Sequence, residues 1–278
     1  MKKIAALLAA VMCLCALAVP AAALSSVGDY GKVPMYDGTI TVDGKIDAIY
    51  KKGLKIEIAG DYGAESYYTD STGNAYLLHD GKYIYVALEM DNKYPLGEYL
   101  EATQSAAHKE TGFELYFDWA DKGVKTDSSK FTIWANAWNT IDTKSFGSMS
   151  KIVECKSVQD AAKKTYVVEV KVSIPDTVKT GAKIGWAVAV AANDDPKNPK
   201  QQHIAVPTLL NLKKVCNAPD QWASFTLDSA KVALDTTAAT TKAPASTGSS
   251  AATFDAGIVL AVVAAAAGAG VVVSKKRH

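Results

Sequence analysis

The central part of this chain contains short apolar stretches, rich in β-branched and aromatic residues, that are interrupted every eight to fifteen residues by Gly, Asp or Asn. Helices need longer segments with apolar residues three or four positions apart, and such segments are few here. Residues 76–78 and 83–88 flank the turn pair Asp80 and Gly81, which predicts a β-hairpin. The chain is therefore predicted to be all-β, an antiparallel β-sandwich of the jelly-roll type.

Further strands are predicted from the same kind of pattern. Residues 166–174 alternate between apolar and mixed positions, which is typical of a strand with one buried face. Residues 184–192 are almost wholly apolar and indicate a central strand. One helical turn is expected at residues 47–52. The remaining predicted strands are residues 39–42, 113–119, 131–138 and 222–227.

The amino terminus has the layout of a secretory signal peptide. Lys2 and Lys3 precede an unbroken apolar run over residues 4–19, and Pro20 is followed by three alanines. Residues 1–24 are therefore expected to be removed on export. The folded domain is predicted to span residues 25–235.

The carboxyl terminus predicts a membrane anchor at residues 254–278. Residues 256–273 are apolar or Gly throughout, and as a helix they would span about 27 Å, close to the thickness of a bilayer core. Residues 275–277 are basic, which favours a cytoplasmic end. Residues 236–253 are rich in Thr, Ala, Ser and Pro and predict an extended stalk. The expected location is the cell surface, with a single membrane pass.

The whole tail resembles a Gram-positive cell-wall sorting signal. Thr247 and Gly248 fit the sorting motif, but the Leu-Pro pair expected ahead of them is absent. Covalent attachment to the wall therefore stays open, and the membrane anchor does not depend on it.

The charge and the cysteines narrow the classes of function. The formal net charge is +1, so no strong field favours nucleic acid as a partner. Cys155 and Cys216 are the cysteines outside the signal peptide, too few for a structural zinc site. Whether they pair is left open. No nucleophile motif or phosphate-binding loop is present, which favours a non-catalytic protein.

Six short motifs follow one another along the chain: I-x-V-D-G-x-I-D-x-x-Y at residues 40–50, L-x-D-x-x-Y-I-Y-V at 78–86, G-F-E-L-Y-F-D at 112–118, Y-x-x-E-x-x-x-x-I-P at 166–175, I-G-W at 184–186 and W-x-x-F-x-L at 222–227. In this order they resemble the family 9 carbohydrate-binding modules, which are DOMON-like sandwiches. The resemblance implies a domain that binds sugars without cleaving them, with plant-type polysaccharides or oligosaccharide ends as partners.

The resemblance also implies a sugar ring held between two aromatic rings. Tyr94 and Tyr99, in the segment between residues 91 and 112, are the implied aromatic contacts, and Asn193 is an implied polar contact. The strand that follows Asn193 in the family carries a tryptophan, whereas residues 202–207 here contain no aromatic residue. The resemblance therefore supports the family's fold for this chain more fully than it supports the family's sugar-binding site.

The residues themselves suggest a second set of sugar contacts. Trp134, Asn136 and Trp138 are two apart on a predicted strand, so they share one face and form a platform if the opposite face is the core. The alternative is that both tryptophans belong to the core. Glu114 shares a strand face with Tyr116 and can accept hydrogen bonds from sugar hydroxyls, although a solvated sheet face is the alternative. A glycosidase would need two carboxylates across a cleft, and the sequence indicates none.

Asp91, Asp118 and Asp194 are candidate ligands for a structural calcium ion, which prefers several oxygen donors. Solvated loop acids are the alternative. The leading hypothesis is a surface-anchored, non-catalytic carbohydrate-binding protein. The second is a structural or adhesive surface module with a degenerate sugar site. The third is a component of a glycoside-hydrolase system.

Overall fold

The structure, a computed structural model, describes residues 28–61, 71–91, 111–160, 162–193, 202–210 and 218–234. The predicted signal peptide, stalk and membrane anchor lie outside these residues. In the described ranges, no helix is long and apolar enough to cross a membrane. Strands dominate these ranges, and the helical segments in them are short 3-10 turns. The all-β prediction is confirmed.

The described chain contains twelve strands. The strands are β1 (Asp29–Met35), β2 (Leu54–Asp61), β3 (Gly73–His79), β4 (Tyr83–Asp91), β5 (Gly112–Asp118), β6 (Ser128–Trp134), β7 (Asn139–Ile141), β8 (Ile152–Asp160), β9 (Thr165–Ser173), β10 (Lys183–Asn193), β11 (Gln202–Pro207) and β12 (Ala223–Lys231). Six of the predicted strands are confirmed to within a few residues, namely β3, β4, β5, β9, β10 and β12. The strand predicted at residues 131–138 is confirmed in part, because β6 ends at Trp134, and β1, β2, β7, β8 and β11 were missed.

These strands form one hydrogen-bonded sheet that is nearly closed into a barrel. Its main path runs β7-β6-β5-β10-β11-β2-β3-β4-β9-β8. A second connection arises because β12 pairs with both β10 and β1, and β1 pairs with β3. Both pairings of β1 are parallel, so the predicted antiparallel arrangement fails there. The other described pairings are antiparallel.

The main core fills the space that the curved sheet encloses. In β9 the alternating residues of one face are buried, as the period-two pattern predicts. Strand β10 is buried on both faces over residues 184–192, which confirms a central strand. Below, the face of the sheet turned away from this core is called the outer face. The largest inward side chains are Phe113, Phe117, Phe131, Tyr166, Trp186 and Phe225.

A segment of irregular chain, residues 36–52, crosses the outer face of β3 and β4 and is called the strap. Residues 39–42 were predicted to be a strand, but they belong to the strap and form none. Ile40 and Tyr50 are buried in a second cluster with Leu78 and Tyr85 of the sheet. The helical turn predicted at residues 47–52 is confirmed as a 3-10 turn at Ala48–Lys52.

The strap is fastened at Asp43 and Gly44, which sequence reasoning interpreted as a turn pair. The backbone N–H groups of Asp43, Gly44 and Lys45 all donate to one carboxylate oxygen of Glu169, at 2.7, 2.6 and 3.2 Å. Glu169 lies on β9 and is fully buried. Two segments that carry the family resemblance are therefore joined in space, and their joint role is structural.

The strand register defines two ends of the sheet. At one end Gly112, where β5 begins, pairs with Trp134 and with Ala191 near the end of β10. We call this the loop end. At the far end Asp118, where β5 finishes, pairs with Ser128 and Gly185.

Candidate functional site

A half-buried ion pair lies on the outer face of β5 and β6. Lys130 Nζ lies 2.8 Å from Glu114 Oε1, and the two side chains are 16% and 18% exposed. The hydroxyl of Tyr116 donates to the other carboxylate oxygen of Glu114. Lys130 Nζ also lies 5.6 Å from the centre of the Tyr116 ring. The three side chains form a connected network in which Lys130 and Glu114 remain partly exposed to solvent.

Strand alternation places these residues on one face. Residues 113, 115 and 117 of β5 point into the main core, so Glu114 and Tyr116 point outward. In β6, Phe131 and Ile133 point inward, which turns Lys130 outward beside Tyr116. The shared face of Glu114 and Tyr116 is therefore confirmed. The face is not simply solvated, because Tyr116 itself is fully buried.

Two aromatic residues from distant parts of the chain cover Tyr116. The ring centres of Phe146 and Trp222 lie 6.0 and 5.2 Å from that of Tyr116. With neighbouring small residues of β10 they form a third apolar cluster, separate from the one beneath the strap and also on the outer face. This cluster rigidifies Tyr116 and thereby holds its hydroxyl against Glu114.

The expected exposed platform of Trp134, Asn136 and Trp138 is wrong, because the strand that should carry it ends at Trp134. Trp134 is only 1% exposed. The chain then turns, Asn136 is exposed, and Trp138 is half-buried. The two indole rings pack with centres 4.7 Å apart at an interplanar angle of 59°. The outer face at the loop end therefore has one buried and one partly accessible tryptophan.

The tryptophan pair and the ion pair are neighbours on the sheet. Trp134 pairs with Gly112, so Glu114 occupies the adjacent diagonal position, within reach of large side chains. On the other side of β5, Ala189 pairs with Glu114 and Ala191 pairs with Gly112. Small residues thus lie beside the polar pair, and larger rings lie at both ends. Ala189 is itself buried in the apolar cluster around Tyr116, so the Glu114–Lys130 pair lies at the edge of that cluster.

The other predicted sugar contacts fall at the same end or outside the described residues. Asn193 pairs with Gln202 and lies two residues beyond Ala191, at the loop end. Tyr94 and Tyr99 lie outside the described residues. Their roles in binding, like those of Trp134, Asn136, Trp138 and Glu114, stay predictions. Lys130 was missed, although its period-two spacing from Trp134 could have indicated a shared face.

The structure does not bring the candidate calcium ligands together. Asp91 ends β4 at the loop end and is exposed, whereas Asp118 lies at the far end, about 20 Å away along β5. Asp194 lies outside the described residues. In the part of the chain that the structure describes, no group of three or more His, Cys, Asp or Glu could hold a metal ion. Calcium binding by Asp91, Asp118 and Asp194 stays a prediction.

Asp118 has a structural role that sequence reasoning missed. It is 1% exposed, and its carboxylate accepts the N–H of Gly123 at 2.6 Å and that of Ala120 at 3.3 Å. Burial raises the pKa of Asp118 above its usual value, against the effect of these hydrogen bonds. The residue organises the turn after β5.

Comparison with known proteins places the chain among carbohydrate-binding domains. A family model described as carbohydrate family 9 binding domain-like matches residues 42–230. Endo-1,4-beta-xylanase C of Paenibacillus barcinonensis is 30% identical over 166 residues, which is 57% of this chain and 14% of that protein. The chain therefore spans only a small part of this curated relative.

Two solved structures share the fold. Both are a family 9 carbohydrate-binding module from Caldicellulosiruptor kristjanssonii, one in complex with cellotriose and one with glucose. Each gives a TM-score of 0.53, with sequence identities of 15% and 16%. The matches cover 71% and 73% of this chain, and 94% and 99% of the solved chains.

Proposed function

Because this chain belongs to the carbohydrate family 9 binding domain-like family, we propose that it is a non-catalytic protein that holds polysaccharide or oligosaccharide at the cell surface. The observation that carries the proposal is the half-buried Lys130–Glu114 ion pair on the outer face, on the same part of the sheet as the packed Trp134–Trp138 pair. The family match and the sugar-bound structures of similar fold support the same reading.

The chemistry of this face suits a neutral sugar. The Glu114 carboxylate accepts hydrogen bonds from hydroxyl groups, and the Lys130 ammonium donates to them. Since the two charges neutralise each other, the face offers oriented hydrogen bonds without a net charge. An aromatic ring beside such groups can pack on the apolar C–H face of a sugar ring.

Calorimetric titration of the purified full chain with glucose, cellotriose and xylan oligosaccharides tests the proposal. Glu114→Gln should weaken binding about tenfold, because hydrogen bonds to a charged partner contribute about 1.5–3 kcal/mol. The matched control is Glu154→Gln on β8, whose carboxylate pairs with Lys171 at the same 2.8 Å distance. Absence of sugar binding by the unsubstituted chain, or equal effects of the two substitutions, would contradict the proposal.

The burial of Trp134 favours the second candidate function, a structural or adhesive surface module without a working sugar site. In that case the outer aromatic residues serve packing alone. A glycan array that detects no bound sugar, together with retained folding, would support this alternative. The hypothesis that the protein helps to cleave glycosidic bonds has less support, because that reaction needs two carboxylates about 5–10 Å apart across a cleft. The other carboxylate on the same strand face, that of Asp118, lies four residues from Glu114 at the far end of β5.

We also infer export through the signal peptide at residues 1–24, a jelly-roll-like β-sandwich as the type of the nearly closed sheet, and anchoring through residues 254–278. Strand β12 runs past the far end of β10, and Val232 is fixed there by its N–H bond to the carbonyl of Met35 at 2.9 Å. The chain therefore leaves the sheet at the end opposite to Trp138. Protease protection of the tail in intact cells would test the anchor.

A further inference from the structure

We propose that Trp138 is the ring on which the sugar packs, and that Ala137 and Trp134 are positioning residues that hold it at the loop end of the sheet. This inference rests on the proposed function, since it assigns the aromatic contact of the same site. It replaces the expected platform on a strand by a single ring carried on a turn.

The turn after β6 reverses the chain through two hydrogen bonds. The N–H of Ala137 donates to the carbonyl of Trp134 at 2.8 Å, and the N–H of Trp134 donates to the carbonyl of Trp138 at 2.9 Å. Asn136 adds a third bond, because its side-chain oxygen accepts the N–H of Trp138 at 3.1 Å. These bonds return Trp138 to the level of Trp134 instead of letting the strand continue.

Ala137 adopts a backbone conformation that few side chains tolerate. Its φ of 67° lies in the left-handed region, where glycine is the ordinary choice. Non-glycine residues in this region persist only where the surrounding structure holds them, and they concentrate at functional sites. At this position the strained conformation has one visible consequence, which is the placement of Trp138 against Trp134.

The two tryptophans have different roles in the proposed site. Trp134 is only 1% exposed and packs beside Gly112, so it acts as the support. Trp138 is half-buried and packs on Trp134 with an interplanar angle of 59°. Glu114 occupies the diagonal position next to Trp134 on the β5 side, whereas Trp138 lies on the β7 side of β6, so Trp134 stands between the carboxylate and Trp138 on the outer face.

The test combines cellotriose titration of the full chain with circular dichroism. Indole rings this close couple excitonically and give a paired band in the far ultraviolet, which reports the Trp134–Trp138 packing directly. Ala137→Gly accepts the left-handed conformation and should keep both the paired band and the affinity. Ala137→Val cannot adopt it without strain, so it should lose the band and weaken binding about tenfold, as Trp138→Ala should.

Lys164→Val is the matched control, because Lys164 also has a left-handed backbone, with φ of 53°, in the turn between β8 and β9. It should lower stability without changing the paired band or the affinity. An unchanged band in Ala137→Val would overturn the positioning role. Unchanged affinity in Trp138→Ala, with binding retained by the parent chain, would overturn the contact while leaving the proposed function intact. If the parent chain bound no sugar, the proposed function and the contact would both fail, and the band would still decide the role of Ala137.

Discussion

Replacing Gly44 with alanine should lower the free energy of unfolding by about 2–5 kcal/mol, because two penalties meet at this residue. Its φ of 83° is left-handed, which costs a residue with a Cβ about 1–2 kcal/mol. The new Cβ would also lie 2.9 Å from backbone atoms of Ser157 and Val158 on β8. Backbone cannot move aside as a flexible side chain can, so the strap must shift, at about 1–3 kcal/mol.

A substitution at Gly181 separates the cost of the left-handed backbone from the cost of the steric clash. Its φ of 91° is equally left-handed, but a Cβ built there meets nothing within 4 Å. Gly181→Ala should therefore cost only about 1–2 kcal/mol. Denaturant titration of both full-chain variants, followed by tryptophan fluorescence, measures the difference as a shift in midpoint at constant slope. Equal midpoints would refute the close packing of the strap on β8.

Three further predictions concern buried polar groups. Burial lowers the pKa of His79, whose neutral ring accepts the N–H of Gly81 at 3.1 Å and donates to the carbonyl of Asp228 at 2.9 Å. Stability from His79 should therefore be complete above about pH 6.5 and fall below it, and His79→Gln should flatten this dependence in urea titrations at several pH values. Burial raises the pKa of Glu169, so Glu169→Gln should change the free energy of unfolding by less than about 1 kcal/mol. Glu169→Ala leaves three backbone N–H groups without their acceptor and should lower the free energy of unfolding by about 3 kcal/mol or more. Similar losses in the two variants would contradict the role of Glu169 as a hydrogen-bond acceptor. Asp118→Ala should cost about 1–3 kcal/mol equally with calcium or with a chelator, and a loss confined to calcium would instead indicate a metal site.

The sequence predicts elements whose evidence is local. In β9 the alternation of apolar residues predicts which face of the strand is buried, and the structure confirms this prediction. The hairpin between β3 and β4 is equally local, because Asp80 accepts the N–H groups of Lys82 and Tyr83 while Gly81 supplies a φ of 88°. Neither feature depends on what else packs against these strands.

The predictions that were wrong or missing concern residues whose structure depends on packing against residues distant in the sequence. Ile40 has the β-branched apolar character of a strand residue, yet it belongs to the strap and packs on the sheet instead of pairing with it. Strand β8 was missed because it is an edge strand with mostly exposed side chains and weak apolar alternation. A solvated sheet was the alternative for the face that Glu114 shares with Tyr116, and no local pattern in the sequence reveals that Phe146 and Trp222 cover Tyr116.

The two outer faces of the sheet show why one of them is the better candidate for binding. On β9, Lys171 also pairs with a glutamate and lies beside tyrosines, with its Nζ 4.7 Å from the ring centre of Tyr83 and 5.7 Å from that of Tyr85. A sugar would have to displace this cation to reach either ring, at the cost of the cation–π attraction. On β6, Lys130 lies over Tyr116, which is already buried, and the partly exposed aromatic residue of this region is Trp138. The region of Glu114 therefore has a partly exposed aromatic residue that no lysine of the ion pair covers, whereas Lys171 lies over the rings nearest to its own ion pair.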